Sequence, residues 1–164
     1  MKKPTLWLLA LTVLFTTFSC STDNSDFEVE NVSSEYTVPE TKTIEIEILE
    51  LINEYRLDMG LNALEELDLI KSQAYVHTDY MVEASNISHD NFSQRSAFLR
   101  QYAGANRVSE NVAFGYSSAA SVVNAWLNSD SHRGAIEGDY THFDISAELD
   151  SRGQWYYTNI FVKK

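Results

Sequence analysis

Three stretches of this chain carry side chains that can do chemistry. Ser88-His89-Asp90-Asn91-Phe92 puts an imidazole in a polar segment just ahead of a helical pattern. Ser109-Glu110-Asn111-Val112-Ala113 sets a carboxylate before an apolar segment. Trp126 through Arg133 runs off the end of a helical pattern and carries Ser129 and His132, which share a face if the helix continues. Two imidazoles and a carboxylate from separate segments can hold a divalent ion with an open coordination position. They can equally form an acid–base pair that titrates near neutral pH. Spacing alone chooses neither. Only the fold brings such distant segments together, and a single histidine is more often a hydrogen-bonded surface or core group than a ligand.

Other combinations are weaker. Ser129, His132 and Glu110 make a nominal Ser-His-Glu nucleophilic set, but no Gly-x-Ser-x-Gly elbow accompanies it. There is no His-Glu-x-x-His, which argues against a zincin protease. His77 falls on the apolar face of a helical pattern, so burial with a hydrogen bond is expected. His142 heads a strand on its polar side and reads as an ordinary exposed histidine, or as an alternative second imidazole. Trp126, Trp155, Tyr156, Tyr157 and Phe161 are expected to pack the core and sheet.

The elements that must position these residues follow from periodicity. Ile44, Ile48, Leu51, Ile52 and Tyr55 recur at helical spacing, with Gly60 as a C-terminal stop. A second helix is expected from about Leu67 to Ala84 and a third over Phe92 to Tyr102, broken by Gly104. Glu110 to Tyr116 is a short segment, and Ser117 or Ser118 can cap a helix containing Val122, Val123 and Trp126. The C-terminal quarter changes period. Phe143, Ile145, Ala147 and Leu149 alternate with His142, Asp144, Ser146 and Glu148, the pattern of a half-buried strand. Asp150-Ser151-Arg152-Gly153 is turn chemistry, and Gln154 to Val162 returns as an aromatic-rich strand. Helices followed by a hairpin indicate an α+β fold.

Composition narrows the partners. The 164 residues hold 12 Lys+Arg against 24 Asp+Glu, a net charge of −12. Nucleic-acid binding is excluded on that ground, since it needs a basic surface. A hydrophobic fraction of 44% supports a real core rather than wholesale disorder. With one cysteine, no internal disulfide can form. Lys2 and Lys3 precede a mostly apolar run from Leu6 to Phe18, too short for a bilayer-spanning helix of roughly 20 residues but suited to a signal-peptide core. Ser19-Cys20 then resembles a bacterial lipoprotein processing site, in which Cys20 is acylated. The acidic stretch that follows reads as a solvated tether.

Taken in order, His-Asp-Asn-Phe, Glu-Asn-Val-Ala-Phe-Gly and Val-Val-x-x-Trp-x-x-Ser-x-x-His-Arg resemble the bacterial branch of the CAP superfamily (cysteine-rich secretory proteins, antigen 5, pathogenesis-related 1), whose domain is also called SCP. Leu51-Ile52-Asn53-Glu54-Tyr55-Arg56 is similar to the opening helix of that family, and Ala74-Tyr75-Val76-His77 to its second. The resemblance implies a three-layer α-β-α sandwich with an antiparallel central sheet and a cleft of two histidines and two acids. Carried over by motif, His89 and His132 are the histidines and Glu110 the first acid, while Ser129 stands where the second acid is usual. The resemblance also implies that His89 and His132 can bind zinc or another divalent cation. Asp144 and Ser146 depart from the family's usual Gly-x-Gly.

The resulting reading divides the chain into a lipoprotein-type signal peptide (1–19), an acidic disordered tether (20–43) and a CAP/SCP domain (44–164). It expects a monomer in the cell envelope, lipid-anchored through Cys20 at the outer membrane or cell surface. Its function is binding of an unknown protein or envelope ligand, with Glu110 and Ser129 as further cleft candidates. Alternatives are a metal-dependent, peptidase-like hydrolase and a binder of small lipids or sterols. The reading leans away from an enzyme.

Overall fold

A computed structural model describes residues 36–164. The expected signal peptide, Cys20 and most of the tether lie outside the described residues. Helix α1 (Thr43–Asp58) forms on the expected apolar stripe, with Ile48 and Ile52 fully buried, and ends at Gly60, whose φ of +75° suits a residue without Cβ. Strand β1 (Glu65–Glu66) follows, then α2 (Asp68–Ala84) and α3 (Phe92–Tyr102), both at nearly the expected bounds. Strand β2 (Arg107–Phe114) leads to α4 (Ala119–Leu127), capped by Ser118, whose Oγ accepts from the Ser121 amide. A short helix α5 (Asp130–Ile136) precedes the hairpin of β3 (His142–Leu149) and β4 (Trp155–Lys163).

The sheet order is β1-β3-β4-β2, with α1, α4 and α5 on one face and α2 and α3 on the other. Side chains alternate accordingly. Phe143, Ile145 and Phe161 join Ile52 and Trp126 in the larger cluster, while Ile160 and Val162 pack with Ile70 and Leu99. The three-layer α+β expectation therefore holds. The sheet is mixed rather than antiparallel, because β1 pairs in parallel with the start of β3. That pairing comes from Asn53 of α1. Its amide accepts from the Leu64 N–H at 2.8 Å and donates to the Leu64 carbonyl at 3.0 Å, which lays the chain beside β3.

The half-buried reading of β3 is also corrected. Asp144 and Ser146 are as buried as their apolar neighbours, because α2 covers the face they occupy, and Leu149 at the strand end is exposed. β1 covers only His142 and Phe143. Beyond it the open edge of β3 is closed by two buried charges. The Ala147 N–H donates to Glu45 Oε1 at 2.7 Å, Lys71 Nζ donates to the Ile145 carbonyl at 2.7 Å, and Lys71 and Glu45 meet at 2.6 Å. The pair gives this edge the partners that a longer β1 would have supplied.

Candidate functional site

The cleft is built on β2, the strand at the other side of the sheet. Glu110 points into the α2/α3 layer, and its side chain is 1% exposed. Arg95 of α3 grips it with both arms of the guanidinium, Nε to Oε2 at 2.8 Å and Nη2 to Oε1 at 2.9 Å. The third arm, Nη1, donates to the Asp90 carbonyl at 2.7 Å. One arginine thereby ties the strand to the loop between α2 and α3. That loop carries His89, whose Nδ1 lies 2.9 Å from Glu110 Oε1. A carboxylate held by a guanidinium accepts, so Nδ1 is the donor to Glu110, and the tautomer of a neutral ring keeps its lone pair on Nε2.

His77 braces the same loop from below, with Nε2 at 2.7 Å from the Ser88 carbonyl and 3.9 Å from Glu110 Oε1. Its burial meets the expectation. Its Nδ1, however, is buried and has no partner among the described residues. Desolvation lowers the His77 pKa, and the ring stays neutral.

The second imidazole arrives from the opposite layer. The helix does not continue through Ser129: α4 ends at Leu127, and Ser129 is the N-cap of α5, with His132 in the first turn. The Ser129 hydroxyl makes no capping bond to the backbone. It meets His132 Nδ1 at 2.8 Å instead. Asn111, next to Glu110 on β2, donates through Nδ2 to the His132 carbonyl at 3.0 Å. Burial lowers the His132 pKa, and the nearby His89 lowers it further.

A cavity of about 390 Å³ opens beside this ring, bounded by Val112, Phe114, Tyr116, Trp126, Ser129 and His132 among others. Trp126 is fixed there by its indole N–H, which donates to the Val112 carbonyl at 3.2 Å.

Each candidate imidazole thus has its Nδ1 held by an oxygen, the arrangement that orients the other nitrogen toward a metal. Both carboxylate oxygens of Glu110 are engaged by Arg95 and His89. Among the described residues no group of three or more His, Cys, Asp or Glu gathers in metal-binding geometry. The donor set offers two imidazoles and no free carboxylate, so it does not fit a closed four-ligand site. His142 stands apart, half-buried at the β1–β3 edge, 3.7 Å from Glu65 and bonded to Thr141.

A model of the cysteine-rich secretory protein family, CAP, matches residues 49–161. The chain belongs to the CAP family. A relative from Bacillus subtilis, described as the uncharacterized membrane protein YlbC, is 32% identical over 128 residues, 74% of this chain and 35% of the relative. The chain therefore spans little more than a third of that protein. An outer surface protein of Borrelia burgdorferi matches with a TM-score of 0.69 at 26% identity, covering 79% of this chain and 98% of its own. An extracellular SCP-domain protein of Bacillus anthracis and a cysteine-rich secretory protein of Staphylococcus aureus share the fold, each with a TM-score of 0.65. Their identities are 22% and 21%, covering 78% of this chain and 45% and 40% of theirs.

Within this CAP domain, Arg95 is the cleft residue that motif reasoning passes over, and Asn111, though inside a motif, is given no role by it. The signal for Arg95 is its place between Phe92 and Leu99, at i+3 and i−4, where a charge interrupts an apolar helix face. The Asn53 and Arg56 of the opening-helix motif turn out to be structural. Asn53 holds Leu64, and Arg56 donates to the carbonyls of Asn62, Ile136 and Gly138.

Proposed function

We propose that this CAP domain is an envelope-anchored binding module whose cleft takes a ligand with an apolar part, with a divalent ion held by His89 and His132. The observation that carries the reading is the matched pair of imidazoles. Nδ1 of His89 is engaged by Glu110 and Nδ1 of His132 by Ser129, and neither Nε2 has a protein partner among the described residues. Water or ligand atoms complete the coordination. A bound divalent ion there supplies a positive centre for a carboxylate or carbonyl of the ligand. The neutral His132 favours this role, because protons compete less for its lone pair. The apolar wall of Val112, Phe114 and Trp126 favours a ligand with a hydrocarbon or aromatic portion.

A hydrolase is less well supported. With both oxygens of Glu110 occupied, the cleft lacks a free carboxylate to act as general base for a bound water. The placement at the envelope rests on the signal-like segment and Cys20, and on relatives described as outer surface, extracellular or membrane proteins. No described helix is long and apolar enough to cross a membrane.

Calorimetric zinc titration of the intact protein tests the cleft. One zinc per chain is expected, with affinity reduced at least tenfold in both His89→Ala and His132→Ala. Absence of binding in the wild type, or binding that survives both substitutions, overturns the metal reading. For the anchor, Cys20→Ser is expected to move the protein from the membrane fraction to the soluble fraction, and continued membrane retention refutes lipidation.

A further inference from the structure

A groove runs between α1 and α4, on the face of the sheet away from the His89 loop. Two cavities of about 300 and 280 Å³ follow one another along it and share Leu51, Glu54 and Ala120. Leu51, Tyr55, Val123 and Leu127 give it an apolar floor. The wall on the α4 side is small and uncharged, with Ser118, Ala120 and Asn124. Small side chains at a contact let another helix come close.

The α1 border is the opposite in character. Glu47, Glu50, Glu54 and Asp58 fall at i, i+3, i+7 and i+11, one exposed stripe roughly 16 Å long. None of the four meets a cation within ion-pair distance among the described residues. The cations around the helix are engaged elsewhere: Lys42 with Glu45 and Glu148, Arg133 with Asp130 and Glu137, and Arg56 with carbonyls inside the fold. Like charges three and four apart repel along a helix. Glu54 and Asp58 also stand at the end where the helix dipole favours a cation. The stripe thus destabilises the free protein, and a cation laid along it would relieve that repulsion.

Charge and shape together select the occupant. An anionic lipid would meet the acids with like charge, and a bare cation would leave the apolar floor in water. This chain does not supply the partner. Residues 21–41 hold Asp and Glu but no Lys or Arg, and a second copy brings its own net charge of −12.

We propose that the α1/α4 groove docks an amphipathic helix of a partner protein. Its apolar stripe lies on Leu51, Tyr55 and Leu127, and Lys or Arg residues along one border of that stripe face Glu47, Glu50, Glu54 and Asp58. A helix laid in a groove presents its side chains at i, i+3, i+4 and i+7, the spacing of the acids it meets. The groove shares no lining residue with the cavity beside His132.

The test is nuclear magnetic resonance on the intact chain in an uncharged detergent. The probe is a blocked peptide of about four helical turns, cross-linked to hold its helix, with Leu along one face and Lys along one border of it. It is titrated to about 1 mM, enough to register weak association. The expected result is a shift of the backbone amide signals of α1 and α4, with affinity that falls as salt is raised. Control peptides with Glu for Lys, or Ser for Leu, should each bind at least tenfold more weakly. Two protein variants should do the same. One is E47Q/E50Q/E54Q/D58N, whose thermal midpoint should hold or rise because repulsion is removed. The other is Ala120→Arg, which sets a cation into the exposed α4 wall. Asp79→Asn with Glu83→Gln, acids exposed on α2 across the sheet, should leave binding unchanged. Silence with the Lys–Leu peptide overturns the proposal. So does binding that tolerates Ser for Leu, or that the α2 pair weakens as much as the α1 variant, since either would mean diffuse attraction to an acidic chain. Zinc binding by His89 and His132 can succeed or fail independently of each of these results.

Discussion

At the scale of single residues, the proposed metal site depends on nitrogen atoms that are aimed by something behind them. His89 is aimed by Glu110, itself locked by Arg95, and His132 is aimed by a serine hydroxyl diverted from its capping role. Ser129→Ala therefore separates orientation from folding. Zinc affinity should fall by about 10-fold, the usual scale for losing a partner behind a ligand. The thermal midpoint should hold, because the hydroxyl makes no backbone capping bond that alanine would lose. Unchanged affinity in the titration would mean that Ser129 does not orient the ring. His89, Glu110, Ser129 and His132 are all legible as motifs. Arg95 is not, since an arginine on a helix is ordinarily solvated, and only the neighbouring Phe92 and Leu99 betray a buried face.

At the scale of elements, α1 to α4 are readable because their apolar residues repeat locally, and the third falls on Phe92 to Tyr102 as expected, whereas the seven-residue α5 is too short to show a period of its own. β1 was not readable. It is two glutamates with no apolar pattern, placed by Asn53 and by pairing with residues far along the chain. Its shortness leaves the β3 edge to Glu45 and Lys71, charges that sit in line with apolar helical positions. Lys71→Met should cost about 3 kcal/mol in urea denaturation, the low end for breaking a buried pair, because it leaves the buried Glu45 carboxylate only the half-exposed Lys42 at 3.6 Å as a counter-charge. Adding Glu45→Gln should recover part of that loss, giving a favourable coupling in a double-mutant cycle. Strictly additive costs would show that the two charges act separately.

At the scale of the whole molecule, covering the sheet on both faces buries polar groups that a two-layer protein would leave wet. Strand alternation could not disclose this, because Asp144 and Ser146 look solvent-facing until α2 is laid over them. Burial raises the Asp144 pKa to about 7, against the pull of its hydrogen bond from the Ile145 amide and of Lys71. The folded state then holds this proton more tightly than the unfolded chain does. Stability attributable to Asp144 is greatest below the unfolded pKa and declines as pH rises through about 7. Asp144→Asn should accordingly stabilise at pH 8, by an amount on the order of a few kcal/mol, with the gain shrinking toward pH 4. Equal shifts in thermal midpoint at both pH values would refute the linkage.

Both layers also take their position from one dipeptide of β2. Glu110 secures the loop of His89 on one side, and Asn111 secures the backbone of His132 on the other. Because side chains alternate along a strand, inserting or deleting one residue upstream within β2 would swap these two neighbours between faces and unmake both halves of the cleft at once. Changes in loop length carry no such penalty so long as the anchors keep their faces. Loops exchanged among related proteins can thus vary freely in content, while the odd–even phase of a single edge strand acts as the frame in which any of them can be mounted.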